Sequence, residues 1–159
     1  MFHPNINAMK RNPSAVAEVE LVYRHRVPAT QRPKVSRSSD ACDILRAQWD
    51  EGKLCLLEQF YILMLDRSNR VMACSLISTG GMAGTVADPK LIFVTALKCR
   101  ASGLILAHNH PSGNLTPSQA DRELTRKLKQ AGEMLELPVL DHLILTHEDY
   151  FSFADEGLL

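Results

Sequence analysis

The chain has 159 residues, of which 45% are hydrophobic and 23% are charged, and this composition suits one soluble globular domain with its own core. Its 18 basic and 18 acidic residues cancel, which removes the general electrostatic attraction that most nucleic-acid-binding surfaces supply. No apolar stretch approaches the roughly 20 residues of a membrane span, and the first residues lack the apolar core of a secretory signal, so we expect a cytoplasmic protein without a membrane partner.

The first 37 residues are expected to precede the folded domain. Residues 1–15 show no periodicity and are typical of a mobile tail. Residues 18–24 alternate between apolar and polar side chains, which predicts an edge strand, and a polar linker that contains prolines follows. The sequence therefore predicts a tail, an edge strand and a linker over residues 1–37, and one domain over residues 38–159.

A helix and a β-hairpin open the predicted domain. Ser39 can cap a helix that runs to Asp50, with Gly52 as the stop signal after it. Residues 60–65 form an apolar run, the next four residues have turn chemistry, and residues 71–78 return as a second strand. We therefore expect this hairpin to follow the first helix directly.

Two further helices flank a short apolar run. Asp88 can cap the second helix, and Pro89 occupies the first helical position, where a missing N–H costs nothing. Residues 104–107 are wholly apolar, as expected for a central strand that is buried on both faces. Thr116 then begins a third helix through a Thr-x-x-Gln capping box, with Pro117 at its first position.

The end of the chain favours two more strands, over residues 139–146 and, more briefly, residues 150–153. Strands and helices therefore alternate from the hairpin onward. This order predicts an α/β fold, in which a mixed β-sheet has helices packed against it.

The stretch "AHNHPSGNLTPSQAD" gathers polar groups at the end of the central strand. In an extended segment residues two apart point to the same side, so His108 and His110 can reach one ion. Asp121 lies in the first turns of the third helix, and the short loop before it can fold its carboxylate back over the strand end. Two imidazoles and a carboxylate without a fourth protein ligand match open catalytic zinc sites, where bound water has a pKa of roughly 7.

Two other residues are candidates for catalytic roles. Ser118 precedes Asp121 by three residues and could donate to an oxygen that becomes anionic during attack; the alternative is that it caps the helix. Glu58 begins an otherwise apolar segment and could act as the general base; the alternative is a solvated carboxylate at a strand start. His142 suits a supporting or core position rather than ligation, because the ligand set is complete without it.

These residues carry a resemblance to a known family. The His-x-His-x7-Ser-x2-Asp signature of JAB/JAMM metalloproteases is matched by His108, His110, Ser118 and Asp121. The stretches "HNHPSGNLTPSQAD" and "VLDHLIL" closely resemble the RadC family, and the resemblance extends over about residues 39–159. It implies a cytidine-deaminase-like α/β fold, a Zn²⁺ ion held by the two histidines and Asp121, a tetrahedral intermediate supported by Ser118, and Glu58 at the position of the family's upstream catalytic glutamate.

The resemblance implies two functions. Because JAMM members cleave peptide or isopeptide bonds, the first is a zinc-dependent metallohydrolase that acts on a peptide or protein substrate through metal-activated water. Because RadC relatives are commonly labelled DNA repair proteins, the alternative is a RadC-type DNA-repair-associated protein that acts on or near nucleic acid. The neutral charge weighs against this alternative, as does the lack of a helix-hairpin-helix pattern in the first forty residues. A second departure is Asp-Pro-Lys-Leu at residues 88–91, where the family tends to have His-Pro-Arg-Glu.

Overall fold

The computed structural model of the protein describes residues 27–81 and 86–159. The expected tail and the expected strand over residues 18–24 lie outside these ranges. Within them the chain forms four α-helices and five β-strands. In chain order they are α1 Ser38–Gln48, α2 Glu51–Leu54, β1 Gln59–Leu65, β2 Val71–Thr79, α3 Pro89–Lys98, β3 Gly103–Asn109, α4 Gln119–Met134, β4 Val139–Leu145 and β5 Tyr150–Ser152.

The five strands form one mixed sheet in the order β2-β1-β3-β4-β5. Strand β3 runs parallel to β4, and the other neighbouring strands are antiparallel. Because β3 and β4 are parallel, their carboxyl ends meet at the same edge of the sheet. The predicted mixed α/β sheet with flanking helices is confirmed.

Strands β1 and β3 form the centre of the sheet and are buried along their whole length. Their side chains alternate between two apolar layers, as strand geometry requires. On one face Leu63 and Ile105 pack with α1 and α2, and on the other Ile62 and Leu106 pack with α3 and α4. A core on each face explains why these strands read as continuous apolar runs.

The first helix ends earlier than the sequence predicts. Helix α1 begins at Ser38 and ends at Gln48, and a separate short helix, α2, follows. Gly52 lies inside α2, where its N–H donates to the Asp50 carboxylate at 3.0 Å. The prediction that Gly52 terminates the first helix is therefore wrong, because Asp50 caps a new helix instead.

The structure confirms the predicted start of α3 and corrects that of α4. Asp88 accepts a hydrogen bond from the Lys90 N–H at 2.9 Å, and Pro89 is the first residue of α3. Helix α4 begins at Gln119, not at Pro117, and its cap is Ser118 rather than Thr116. Two capping patterns overlap here, and the one with a charged carboxylate at its third position forms the stronger pair of bonds.

Part of the expected linker packs against the domain. The Val35 N–H donates to the Asn69 carbonyl at 2.8 Å, and the Val71 N–H donates to the Pro33 carbonyl at 2.9 Å. The Val35 side chain belongs to the core on the α1 face. Residues 33–35 thus contact the β1–β2 hairpin, while the division at residue 37 stays a prediction. No helix in the described part of the chain is long and apolar enough to cross a membrane.

Candidate metal centre

The end of β3 and the start of α4 bring the signature residues together. His108 is the next-to-last residue of β3, and His110 follows the strand, where its N–H donates to the Leu145 carbonyl at the end of β4. The chain then turns back through Gly113, whose φ of 80° is a backbone conformation that glycine adopts without strain. This reversal places the first turn of α4, with Asp121, beside the strand end.

The side chains of His108, His110 and Asp121 converge at this point. The Nε2 atoms of His108 and His110 are 3.0 Å apart. Asp121 Oδ1 lies 3.2 Å from His108 Nε2, and Asp121 Oδ2 lies 3.7 Å from His110 Nε2. The His108 side chain is 2% exposed, whereas those of His110 and Asp121 are 15% and 14% exposed. The group could hold a metal ion at the rim of the core, within reach of solvent.

A buried hydrogen-bond chain fixes the orientation of His108. Its Nδ1 lies 2.9 Å from His142 Nε2, and His142 Nδ1 lies 2.6 Å from the Thr125 hydroxyl. That hydroxyl donates to the main-chain carbonyl of Asp121 at 2.6 Å. Since the carbonyl can only accept, each N–H in the chain points toward it, and His108 carries its proton on Nδ1. The Nε2 lone pair of His108 therefore faces the other ligands.

The same logic applies to His110. Its Nδ1 lies 2.6 Å from the Asn114 carbonyl, which can only accept, so Nδ1 carries a proton. In neutral His110 the lone pair is then on Nε2, which faces His108 and Asp121. Two imidazole lone pairs and a carboxylate thus face one another, and such an arrangement requires a cation or a proton between them.

The electrostatics of the site agree with this requirement. Burial would raise the pKa of Asp121, but its contacts with His108 and His110 outweigh burial and hold that pKa below its ordinary value. The hydrogen bond to Asp121 raises the pKa of His110, and the charge of Glu58 acts in the same direction. Complete burial, together with the neighbouring His108, holds the pKa of His142 well below its ordinary value, so His142 is neutral.

Ser118 contacts Asp121, and Glu58 lies within electrostatic reach of the centre. Glu58 immediately precedes β1 and is half-buried, and its influence on the pKa of His110 places its charge within electrostatic reach of the site. Ser118 accepts a hydrogen bond from the Asp121 N–H at 3.1 Å, and its own N–H donates to the Asp121 carboxylate at 2.7 Å. Ser118 therefore caps α4 and orients Asp121, and the catalytic roles expected for Glu58 and Ser118 stay predictions.

Two residues that support the centre, His142 and Thr125, differ in how far the sequence predicts them. His142 was expected in a supporting or core position, and the structure places it behind His108. No sequence motif marks Thr125, although it lies four residues after Asp121 and therefore on the same face of α4. A polar residue one helical turn beyond a ligand was the signal that could have identified it.

Comparisons with known proteins identify the family of this chain. Residues 35–158 match the family described as the RadC-like JAB domain. A UPF0758 protein of Flavobacterium johnsoniae is 45% identical over 146 residues, which cover 91% of this chain and 62% of that protein. A UPF0758 protein of Aquifex aeolicus is 38% identical over 143 residues, which cover 90% of this chain and 60% of that protein.

A third relative matches a shorter stretch. A UPF0758 protein of Thermosynechococcus vestitus is 50% identical over 98 residues, which cover 62% of this chain and 39% of that protein. The chain therefore spans less than two thirds of the length of these curated relatives, and their shared name states no activity. The matched residues and the identities show that the chain belongs to the RadC-like JAB domain family.

Proposed function

We propose that this protein is a zinc-dependent hydrolase that cleaves a peptide or isopeptide bond with an activated water molecule. One observation carries the proposal: the Nε2 atoms of His108 and His110 and the carboxylate of Asp121 converge, each oriented by its own hydrogen bonds. Such an arrangement is preorganised for a cation, and the family includes metalloproteases. The substrate class is inferred from that family membership.

The distances suit zinc. With bonds of roughly 2.0–2.1 Å in a tetrahedral arrangement, neighbouring ligand atoms lie roughly 3.3 Å apart. The separation of 3.0 Å between the two Nε2 atoms and that of 3.2 Å between His108 Nε2 and Asp121 Oδ1 are close to that value. Two imidazoles and one carboxylate would leave the fourth position for water, as in catalytic sites. Other divalent ions bind similar sets, so the choice of zinc rests on ligand type.

The residues around the centre suggest separate roles in the reaction for the metal, Glu58 and Ser118. A bound zinc ion would supply Lewis acidity and lower the pKa of a water molecule to roughly 7. Glu58 would accept a proton from the attacking water and pass it to the leaving nitrogen. The Ser118 hydroxyl oxygen already accepts the Asp121 N–H, so its hydrogen can be donated to the oxygen that becomes negative during attack.

The experiment combines metal analysis with a cleavage assay. We expect one zinc ion per purified chain, and its loss in Asp121→Ala, by elemental analysis. A peptide library should then identify a cleaved bond. Glu58→Gln should retain zinc and lower the rate by roughly 10²- to 10⁴-fold, the usual effect of losing a general base. Failure of the wild-type chain to bind zinc would overturn the proposal, and wild-type turnover in Glu58→Gln would remove Glu58 from the mechanism.

A further inference from the structure

We infer that Asn109, which lies between the two histidine ligands, is a positioning residue that fixes the main chain on both sides of Glu58. This inference rests on the proposed function, because it assigns Asn109 an action through the proposed general base. Asn109 touches none of the three ligand atoms in the described hydrogen bonds. Its role would be to hold Glu58 at a set position relative to the strand that carries the ligands.

The Asn109 amide makes three hydrogen bonds to the segment before β1. Its Oδ1 accepts from the Gln59 N–H at 2.7 Å. Its Nδ2 donates to the Leu54 carbonyl at 2.7 Å and to the Leu57 carbonyl at 2.8 Å. The residue is fully buried, so these bonds are shielded from competing water and costly to leave unmade.

These bonds lie on both sides of Glu58. The Leu57 carbonyl belongs to the peptide group that precedes Glu58, and the Gln59 N–H belongs to the one that follows it. The remaining two groups of these peptides are bonded as well: the Glu58 N–H donates to the Gly81 carbonyl at 3.1 Å, and the Gly80 N–H donates to the Glu58 carbonyl at 2.8 Å. Both peptide groups that flank the proposed base are therefore held from two directions.

The placement of Asn109 follows from strand geometry. The backbone pairing between β1 and β3 reaches the Phe60–His108 pair, and the Asn109 side chain supplies the next bond, to Gln59. Because side chains alternate along a strand, His108 points to the α4 face and packs beside Phe60, while Asn109 points to the α2 face. One rigid strand end thus holds a metal ligand on one face and the Glu58 segment on the other.

An amide is the side chain that this position requires. It offers an acceptor and two donor hydrogens on one planar group, and here Oδ1 and both donors are used. Aspartate would keep the acceptor but would direct a carboxylate oxygen at the Leu54 and Leu57 carbonyls. Alanine would leave the Gln59 N–H and these carbonyls without the partner. Either change should release the Glu58 segment while the ligands stay in place.

The test uses the zinc-loaded full chain with Asn109→Asp and Asn109→Ala. We expect unchanged zinc content by elemental analysis and at least roughly tenfold faster hydrogen exchange of the Gln59 amide, because its bond opens locally. With a cleaved peptide, kcat should fall by roughly 10- to 100-fold at nearly constant KM, the effect of misplacing a catalytic group by about 1 Å. Asn69→Asp, in the β1–β2 turn, is the matched control and should change none of these.

A double mutant separates positioning from a general structural role. If Asn109 acts through Glu58, adding Asn109→Asp to Glu58→Gln should cost no further activity, whereas a merely structural effect would lower the rate in both backgrounds. Additive losses would overturn the inference, as would wild-type kcat in both Asn109 variants. If neither variant folds, hydrogen exchange of the wild-type protein tests the inference. A Gln59 amide that exchanges as fast as an exposed loop amide would show that Asn109 does not hold the Glu58 segment in place. Full activity in Glu58→Gln would remove Glu58 from the mechanism and overturn this inference, whereas failure of the wild-type chain to bind zinc would refute the proposed function.

Discussion

The protonation of His108 is set by residues that do not belong to the ligand group. The chain from His108 through His142 and Thr125 ends on the main-chain carbonyl of Asp121. Its direction is fixed because a carbonyl cannot donate, and neutral His142 can then accept at Nε2 only while it donates at Nδ1. His108 and Asp121 are thus connected twice, directly between their side chains and indirectly through His142 and Thr125.

The first prediction concerns the hydroxyl in this chain. Thr125→Val keeps the side-chain shape but removes the acceptor of the His142 Nδ1–H. His142 can then carry its proton on Nε2 and donate to His108, which would move the His108 proton to the nitrogen that faces the ligands. We expect zinc affinity to fall by roughly 10- to 100-fold, the usual effect of losing such a supporting partner, as measured by competition with a chelator of known affinity.

Thr95→Val is the control for this substitution. The Thr95 hydroxyl donates to the carbonyl of Leu91, four residues earlier in α3, at 2.7 Å, as the Thr125 hydroxyl donates to the carbonyl of Asp121 in α4. No described hydrogen bond joins Thr95 to the centre. The control should bind zinc with wild-type affinity. Equal losses of affinity in the two variants would show that a general change in helix stability, not the His108 tautomer, controls binding.

The second prediction follows from the pKa shifts of the metal-free protein. The Asp121 carboxylate raises the pKa of His110, so the stability gained from protonated His110 is complete below its unfolded pKa of about 6.5 and is lost as pH rises through the folded pKa. The lowered pKa of Asp121 gives stability that is present above about pH 4 and is lost as pH falls.

The interaction between His110 and Asp121 should therefore stabilise the metal-free chain most between about pH 4 and 6.5. We expect the wild-type chain to lose more stability than His110→Gln when pH rises from 6 to 9, as measured by urea unfolding in the presence of a chelator. Parallel pH profiles of the two proteins would contradict the assigned interaction.

At the level of elements, the start of α4 gives the third prediction. Ser118→Ala removes the acceptor of the Asp121 N–H and should lower the free energy of unfolding of the metal-free chain by about 1 kcal/mol, as N-cap substitutions do. Thr116→Ala, at the cap expected from the sequence, should change it by less than about 0.5 kcal/mol. Urea unfolding of both variants decides, and the reverse order would restore Thr116 as the cap.

The helix starts show where a sequence pattern is enough to predict the first residue of a helix. Asp88 and Pro89 gave the start of α3 correctly because no competing cap is nearby. The start of α4 was misplaced because two overlapping patterns, one at Thr116 and one at Ser118, both satisfy the local rules. The two hydrogen bonds between Ser118 and Asp121 identify Ser118 as the cap. The local sequence alone does not show which of the two pairs forms.

At the level of the whole molecule, the mixed sheet and the meeting of the histidines with Asp121 could be predicted, because they depend on alternation and short-range spacing. The strand order could not, since it is decided by long-range pairing. The contacts of Asn109 with Leu54 and Leu57 likewise join segments more than fifty residues apart. No local pattern marks such an amide as different from any buried asparagine.

The last prediction concerns metal and the stability of the whole chain. The ligand group joins the end of β3 to α4, and the unfolded chain holds no preformed site, so zinc should bind the folded state preferentially. At a free zinc concentration of 100 times Kd, the free energy of unfolding should rise by about 2.7 kcal/mol, which for a chain of this size raises Tm by roughly 5–10 °C. Thermal unfolding with and without a chelator measures this shift. Asp121→Ala should show almost none of it, and an equal shift in that variant would place the stabilising ion elsewhere.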